Sequence, residues 1–497
     1  MSGPMVSLPA RLLRRAPRAG MLLAGLLAAL VAQAQPYPAP PAPAAPRPLA
    51  VQPPVEQTLP NGMRIVLAER RGVRLVTAQL LVLSGSEADP GKLSGLATLT
   101  ATLLTKGTRK HSATALATAA EALGGSLDSG AGWNQSAVSI TVAEPLLDPA
   151  LALVAEVAMQ PTFAQAELER ARIQALDELK VAYAQPGTLA ARAANRVLYG
   201  AAAYGHPASG TPESLQRIGR EDLLALHRSH YRPDNAVLVL AGDIDAAGAR
   251  RLAAKHFGGW KAPGRRLAAV SPVTPDSLST PVTVIDMPSS GQAAAVVVTP
   301  APPGNTERAV GQITNAVLGG GYSSRINQEI RIKRGLSYGA GSRLDARRQA
   351  GALLASVQTK NESAAEVIGL VQLEFDRLIA TPVPADELAA RKATLIGAFS
   401  RSVETTAGLA GAVSSLVVIG VPPDDLGKRI DALGAVSAAD VQRYAATYFS
   451  APKRRVVVAG DVAKFGPAMK TLAPTAPTIR QDALDLENGT SLTGEAR

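Results

Sequence analysis

The chain reads as an α+β protein built from two homologous domains, each a mainly antiparallel sheet packed against helices. Three observations predict this. The 497 residues are 46% hydrophobic and 18% charged, globular proportions in a length that is long for one core and comfortable for two. Short Val- and Leu-rich runs with strand character alternate with longer amphipathic segments of helical period. A pattern also recurs at long range. Asp222 to Asp243 contains Tyr231-Arg232-Pro233-Asp234-Asn235 followed by Ala236-Val237-Leu238-Val239-Leu240-Ala241-Gly242-Asp243. Asp440 to Asp461 repeats it, from Phe449-Ser450-Ala451-Pro452-Lys453 to Val456-Val457-Val458-Ala459-Gly460-Asp461, at a constant offset of 218 residues. So long a period means a duplicated domain, since solenoid repeats are far shorter.

Taken in order, residues 1–34 read as a secretory signal. Arg11, Arg14, Arg15 and Arg18 form a basic leader, Met21 to Ala32 is apolar, and Ala32-Gln33-Ala34 supplies a small-x-small cleavage site. The apolar run is shorter than the roughly 20 residues a membrane span needs, so cleavage and export to a periplasm are expected, with no transmembrane span afterwards. Residues 35–54 are a Pro/Ala-rich tether.

The first domain, 55–260, opens with a hairpin around Asn61-Gly62, a strong turn signal. Leu75 to Ser84 is a strand. A short apolar helix follows Gly95, and another helix runs from Ala113 to Leu123, broken by Gly124-Gly125. Leu127 to Val142 reads as two strands parted at Gly130 to Gly132. Amphipathic helices are expected over Ala166 to Tyr183 and Leu189 to Leu198. Residues 261–281, with four prolines and weak periodicity, are a linker. The second domain, 282–474, opens at Val282. Its strands are expected at Ala294 to Thr299, Leu336 to Ala340 and Gly351 to Gln358, and its helices near Glu307 to Leu318, Ala364 to Ile379 and Ala385 to Ser400. Residues 475–497 have little apolar content and read as a loose tail.

Composition removes several functions. There is no Cys, hence no disulfide, thiol nucleophile or Cys-based metal site. The formal charge of +11 falls to +7 once the four signal arginines leave, and the remaining cations are scattered rather than interleaved with aromatics. Nucleic-acid binding therefore has no footprint. No Gly-x-Ser-x-Gly elbow is supported by a strand and a helix, and Gly319-Gly320-Gly321 lacks the Lys-Ser/Thr of a phosphate loop. The histidines form no ligand set. His111 and His256 are isolated, and His227 and His230, three apart with no Glu between them, sit at a helix end where cations are ordinary.

Two segments carry a resemblance. Gly95-Leu96-Ala97-Thr98-Leu99-Thr100-Ala101-Thr102-Leu103-Leu104-Thr105-Lys106-Gly107-Thr108 resembles the zinc-binding helix of the insulinase-type (pitrilysin, processing-peptidase) metallopeptidases, written roughly GLAHLLEHMLFKGT. Thr98 and Thr102 stand where that family has its two histidines, and Ala101 stands where it has the glutamate. In HxxEH the histidines fall one turn apart on one face and bind one metal, while the Glu takes a proton from water. Two hydroxyls and a methyl do neither. Glu178 matches the family's third ligand in position but reads as a relic on a solvated helix.

The second segment, Leu318-Gly319-Gly320-Gly321-Tyr322-Ser323-Ser324-Arg325 through Glu329-Ile330-Arg331-Ile332-Lys333-Arg334-Gly335-Leu336-Ser337-Tyr338, resembles the family's LGGGxSSRLxxEIREKRGLxY. In two-part members an Arg and a Tyr seven residues apart reach across to a zinc held by the other half. Arg331 and Tyr338 match them in type, context and spacing. The resemblance implies that Tyr338 stabilises an oxyanion and Arg331 positions substrate. It also implies that Gly319, Gly320 and Gly321 let backbone approach a peptide or partner, and that Asp128, Ser129 and Gly130 occupy the substrate-binding edge strand. The implied protein binds no zinc itself. It is the non-metal subunit of a heterodimeric peptidase, paired with a zinc-bearing HxxEH subunit and acting on peptides. The alternative is a catalytically silent peptide-binding or scaffold protein, with no use for an oxyanion donor.

Overall fold

A computed structural model describes residues 52–265, 267, 273 and 280–492. The signal at 1–34, nearly all of the tether, most of the linker and residues 493–497 lie outside the described residues. Val55–Thr58 (β1) and Arg64–Glu69 (β2) form the expected hairpin. Gly62 supplies the left-handed turn at φ +90°, and its N–H donates to the Leu59 carbonyl at 2.9 Å. Leu75–Val82 (β3), Asp128–Ala131 (β4), Ser136–Ala143 (β5) and Ala236–Gly242 (β6) complete a six-stranded sheet, ordered β1-β2-β6-β3-β5-β4. Only the β2–β6 pairing is parallel. Around it run Leu96–Leu103 (α1), Ala113–Ala122 (α2), Leu147–Met159 (α3), Gln165–Tyr183 (α4), Pro186–Tyr199 (α5), Pro212–Arg217 (α6), Arg220–His230 (α7) and Ala246–Phe257 (α8).

The second half repeats the plan. Val282–Asp286 (β7), Ala293–Ala301 (β8), Ala340–Ala346 (β9), Gly351–Thr359 (β10), Arg455–Gly460 (β11) and Thr478–Arg480 (β12) form a sheet ordered β12-β7-β11-β8-β10-β9. Its helices are Arg308–Leu318 (α9), the short Arg325–Asn327 turn (α10) continued by a π turn over Gln328–Ile332, Ala364–Ala380 (α11), Ala385–Ser402 (α12), Thr406–Val418 (α13), Asp425–Ala435 (α14), Ala438–Tyr448 (α15) and Val462–Leu472 (α16). The offset of 218 carries α7 onto α15, β2 onto β7 and β3 onto β8. The duplication read from one helix–strand unit thus extends to five strands of each sheet; the sixth differs, since β1 adds antiparallel to β2 and β12 adds parallel to β7.

Period-two alternation decides which face of each strand meets which layer. On β3, Ala78, Leu80 and Val82 join Leu99 and Leu103 of α1 and Leu151 and Val154 of α3 in one core. The opposite face presents Thr77 and Gln79, which bond Thr406 and Ser414 of α13. That helix comes from the second half of the chain. The reverse exchange is made by α5, from the first half. Its Leu189, Ala193, Val197, Leu198 and Tyr199 are fully buried with Ile285, Val296, Leu354 and Val457 on the outer face of the second sheet. Each such apolar side chain contributes about 1.5–3 kcal/mol. Each half therefore lends a helix to the other, and neither sheet is covered on both faces by its own half alone.

A polar lock fastens the halves. The β9–β10 hairpin carries Arg347, whose side chain is 2% exposed. Its guanidinium carbon lies 4.1 Å from the Trp133 ring centroid, 5.1 Å from Tyr199 and 4.9 Å from Tyr204. It pairs with Asp345 at 2.5 Å and donates to Asn195 Oδ1 at 3.1 Å. Arg348 donates to the Asn134 carbonyl at 2.7 Å and the Val418 carbonyl at 2.9 Å. Asn134 also bonds Glu87, whose carboxyl is raised by burial and held back by the charge of Arg348.

Three local expectations need correction. The strand expected at Leu336 to Ala340 begins only at Ala340, because Gly335 takes φ +65° and keeps Leu336 to Gly339 in a loop. The break expected at Gly130 to Gly132 falls at 132–135, since Gly130 and Ala131 still pair with Ala137 and Ser136. The segment after Pro474, expected to be loose, is docked through residue 492. β12 adds in parallel to β7, Leu486 and Leu492 are buried, and the buried Arg196 donates to the Leu486 carbonyl at 3.0 Å. Its few apolar anchors are spaced too widely to give a periodic signal.

Candidate functional site

The segment with the first resemblance forms α1. Gly95 enters α1 at φ +90°, and a Cβ there would meet the Gly210 backbone at 2.9 Å, so the close approach needs glycine. Asp89 accepts from the N–H groups of Gly95 at 2.9 Å and Ala97 at 2.7 Å, capping the helix. Its buried carboxyl is raised by desolvation, opposed first by the neighbouring His206 imidazole. His206 Nε2 lies 3.5 Å from Asp89 Oδ2.

The ligand positions on this frame do not fit zinc. Thr98 Oγ1 donates to the Ala208 carbonyl at 2.7 Å, and Thr102 Oγ1 donates to the Thr98 carbonyl at 2.9 Å. Ala101 is a fully buried methyl whose carbonyl accepts from Ser129 Oγ at 2.8 Å. Glu178 is exposed on α4 and bonded to Gln174 at 2.9 Å. Catalytic zinc needs three nitrogen, sulfur or carboxylate ligands on the protein. Among the described residues no group of three His, Cys, Asp or Glu is placed to hold a metal. The histidines have other work. His227, expected as a helix-end cation, donates its Nε2–H to the Ala158 carbonyl at 2.8 Å, stacks on Tyr231 at 4.7 Å, and is pushed towards its neutral form by burial. His111 meets Glu156 at 2.8 Å and His256 meets Asp148 at 2.6 Å.

Asp128, Ser129 and Gly130 lie on β4, the outermost strand of the first sheet, beside α1. Among the described residues no backbone hydrogen bond joins the free edge of β4 to another element. Gly130 has open space where a Cβ would stand. The edge can therefore accept a further extended strand.

The second site sits at the opposite sheet's edge. The Ser342 N–H on β9 donates to the Gly319 carbonyl at 2.9 Å, so this edge is partly closed from within. A Cβ on Gly319 would strike the Ser342 backbone, and one on Gly320 would meet Ala316 Cα at 2.9 Å, whereas Gly321 faces open space. Gly319 and Gly320 thus serve packing within the chain, and Gly321 alone leaves room for a visitor.

Beyond the glycines, Ile330 is fully buried and anchors the π turn that carries Arg331. Such turns are frequent at functional sites. Glu329, buried, takes Lys333 at 3.0 Å and Arg334 at 2.9 Å, and those contacts hold its carboxyl below the ordinary range, Lys333 foremost. Arg325 pairs with Glu387 at 2.8 Å. Among the described residues Arg331 has no ion pair; its guanidinium carbon rests 5.2 Å from the Tyr322 ring centroid. The turn closes through Gly335, whose N–H reaches the Arg331 carbonyl at 3.1 Å. Thr359 Oγ1 pins the Leu336 carbonyl at 2.6 Å, and two residues later Tyr338 stands 91% exposed. No hydrogen bond or ring contact joins Arg331 to Tyr338. Tyr338 lines a cavity of about 630 Å³ that Arg331 does not. Tyr322, against which Arg331 rests, was not singled out from the sequence, although it sits between the glycines and the serines of the motif.

Comparisons with known proteins agree with this geometry. Residues 64–211 match the family model described as insulinase (peptidase family M16), and residues 217–395 match the M16 inactive domain. An uncharacterized zinc protease of Mycobacterium leprae is 30% identical over 297 residues, covering 60% of this chain and 67% of the relative. One from Bacillus subtilis is 25% identical over 350 residues, covering 70% of this chain and 84% of the relative. An M16 inactive domain from Pseudomonas fluorescens superposes with a TM-score of 0.77 at 26% identity, covering 82% of this chain and 98% of that one. A Helicobacter pylori protease shares the fold at 19% identity, with a TM-score of 0.78 over 82% of this chain and 99% of that one. The duplicated α+β plan and the family matches to both halves lead to one assignment: the chain belongs to the insulinase-type (M16) peptidase family.

Proposed function

We propose that this chain is the non-metal subunit of a periplasmic heterodimeric peptidase, acting with an M16 subunit that carries HxxEH and zinc. The observation that carries the reading is the turn of Arg331 and Tyr338. Ile330 is buried and Lys333 and Arg334 are paired with Glu329, while Arg331 makes no ion pair among the described residues and Tyr338 is exposed. A phenol 91% exposed on a buttressed loop is costly to keep for packing alone. The partner's zinc supplies a Lewis acid for the scissile carbonyl. This chain's own part is to place the Tyr338 O–H where charge develops on that oxygen, a donor fixed before the reaction. Arg331, its fork steadied by Tyr322, holds substrate carbonyls or a carboxylate in register. The open edge of β4 gives an extended peptide a second place to add. Export rests on the signal-like residues 1–34; among the described residues no helix is long and apolar enough to cross a membrane.

Mixing tests this reading. The mature chain, an HxxEH-bearing M16 protein from the same source, and their equimolar mixture are assayed on an unstructured peptide with and without chelator. Co-elution as a complex and chelator-sensitive hydrolysis in the mixture, well above either chain alone, is the expected result. A partner whose rate is indifferent to this chain supports the scaffold alternative and overturns the proposal.

A further inference from the structure

Where α5 leaves the outer face of the second sheet uncovered, the 630 Å³ cavity opens beneath Tyr338. Val296 and Leu354 give it apolar surface, and Arg192, Arg343, Asn195, Gln292 and Gln358 are among its lining residues. None of its lining residues is Asp or Glu. Among the described residues neither Arg192 nor Arg343 makes an ion pair; the Arg192 guanidinium carbon lies 5.6 Å from the Tyr183 ring centroid, and its Nη1 is buried without a hydrogen-bond partner. The first turn of α5 borders the cavity through Gly187 and Thr188 and holds no acidic residue. Two cations without carboxylate partners, amide side chains and the positive end of a helix make a concave site whose missing component is negative charge.

We propose that this cavity is a carboxylate-binding subsite for the peptide, with Arg192 and Arg343 as its anchors. The inference rests on the reading of Tyr338 above and deepens it. A carboxylate held here fixes how far along the peptide the bond presented to Tyr338 lies, so the subsite sets specificity. The carboxylate comes either from the peptide C-terminus or from an acidic side chain, both planar acceptors that suit a guanidinium fork.

Binding to the isolated mature chain tests it without the partner. Fluorescence anisotropy is read for four forms of one unstructured peptide: free C-terminus or C-terminal amide, each with an internal Glu or Gln. Removing the relevant carboxylate should weaken binding roughly tenfold or more. The amide form shows whether the terminus is the source, and the Gln form whether the side chain is. Arg192→Gln with Arg343→Gln should erase that preference, so that the four forms bind alike. Arg343→Gln alone, at an exposed position, serves if the double variant does not fold. Equal affinity for all four forms, no measurable binding, or a preference that survives the variants overturns the subsite. Turnover of the mixture with Tyr338→Phe reads the functional proposal separately, so the two can fail independently.

Discussion

Tyr338→Phe should lower kcat of the mixed enzyme about 10²–10³-fold, the effect of deleting one preorganised oxyanion donor. KM should change little, because the hydroxyl is engaged only as charge builds on the carbonyl oxygen. Folding should be untouched. Tyr338 is 91% exposed and its ring supports no core residue, so the variant should unfold at the same denaturant concentration. Full zinc content in the partner with a collapsed rate would separate loss of the donor from loss of the metal. Arg331 is the useful contrast. If it positions peptide, Arg331→Lys should raise KM more than it lowers kcat, because Lys keeps the charge but loses the fork and the stacking on Tyr322.

Arg347→Ala should destabilise the protein by roughly 3 kcal/mol, the low end of the cost of breaking a buried ion pair. The low end applies because Asp345 keeps 26% exposure and can rehydrate. What is lost besides the pair is the stack on three rings and the bond to Asn195, which together tie the β9–β10 hairpin to the first half. Arg347→Lys should recover only part, since an ammonium cannot lie flat between Trp133 and Tyr204. The shift of the urea midpoint at constant slope measures both. A loss below about 0.5 kcal/mol, typical of a surface change, would show that the lock is decorative.

Legibility in the sequence followed the physics of each element. The 218-residue repeat was visible because β6 and β11 are central strands, buried on both faces, and so appear as unbroken apolar runs. The amphipathic α4 and α5 announced themselves by period. By contrast α3 is buried at most positions and α13 around most of its circumference, which erases the helical period. β9 is a polar edge strand, with Gly341, Ser342, Arg343 and Asp345 in place of alternating apolar residues, and its start was misplaced for that reason. The exchange of α5 and α13 between halves depends on chain path alone, which no local pattern encodes.

The candidate site divides in the same way. Arg331 and Tyr338 were singled out from a motif with fixed spacing, and Thr98, Ala101 and Thr102 from their places in a second one. Arg192 and Arg343 lie 151 residues apart and meet only because α5 crosses onto the second sheet. Arg347 resembles any surface cation until its three rings, drawn from distant turns and a helix, close around it.

The phenol's nearness to a metal held by another polypeptide can be measured directly. With 3-fluorotyrosine placed only at Tyr338 and the partner's zinc replaced by paramagnetic cobalt, the fluorine resonance of the active complex is recorded with a bound, uncleaved peptide analogue. Severe paramagnetic broadening and shift, absent in the zinc complex, is the predicted result. A fluorine line identical in the cobalt and zinc complexes, while the mixture hydrolyses peptide at full rate, would contradict a shared catalytic centre.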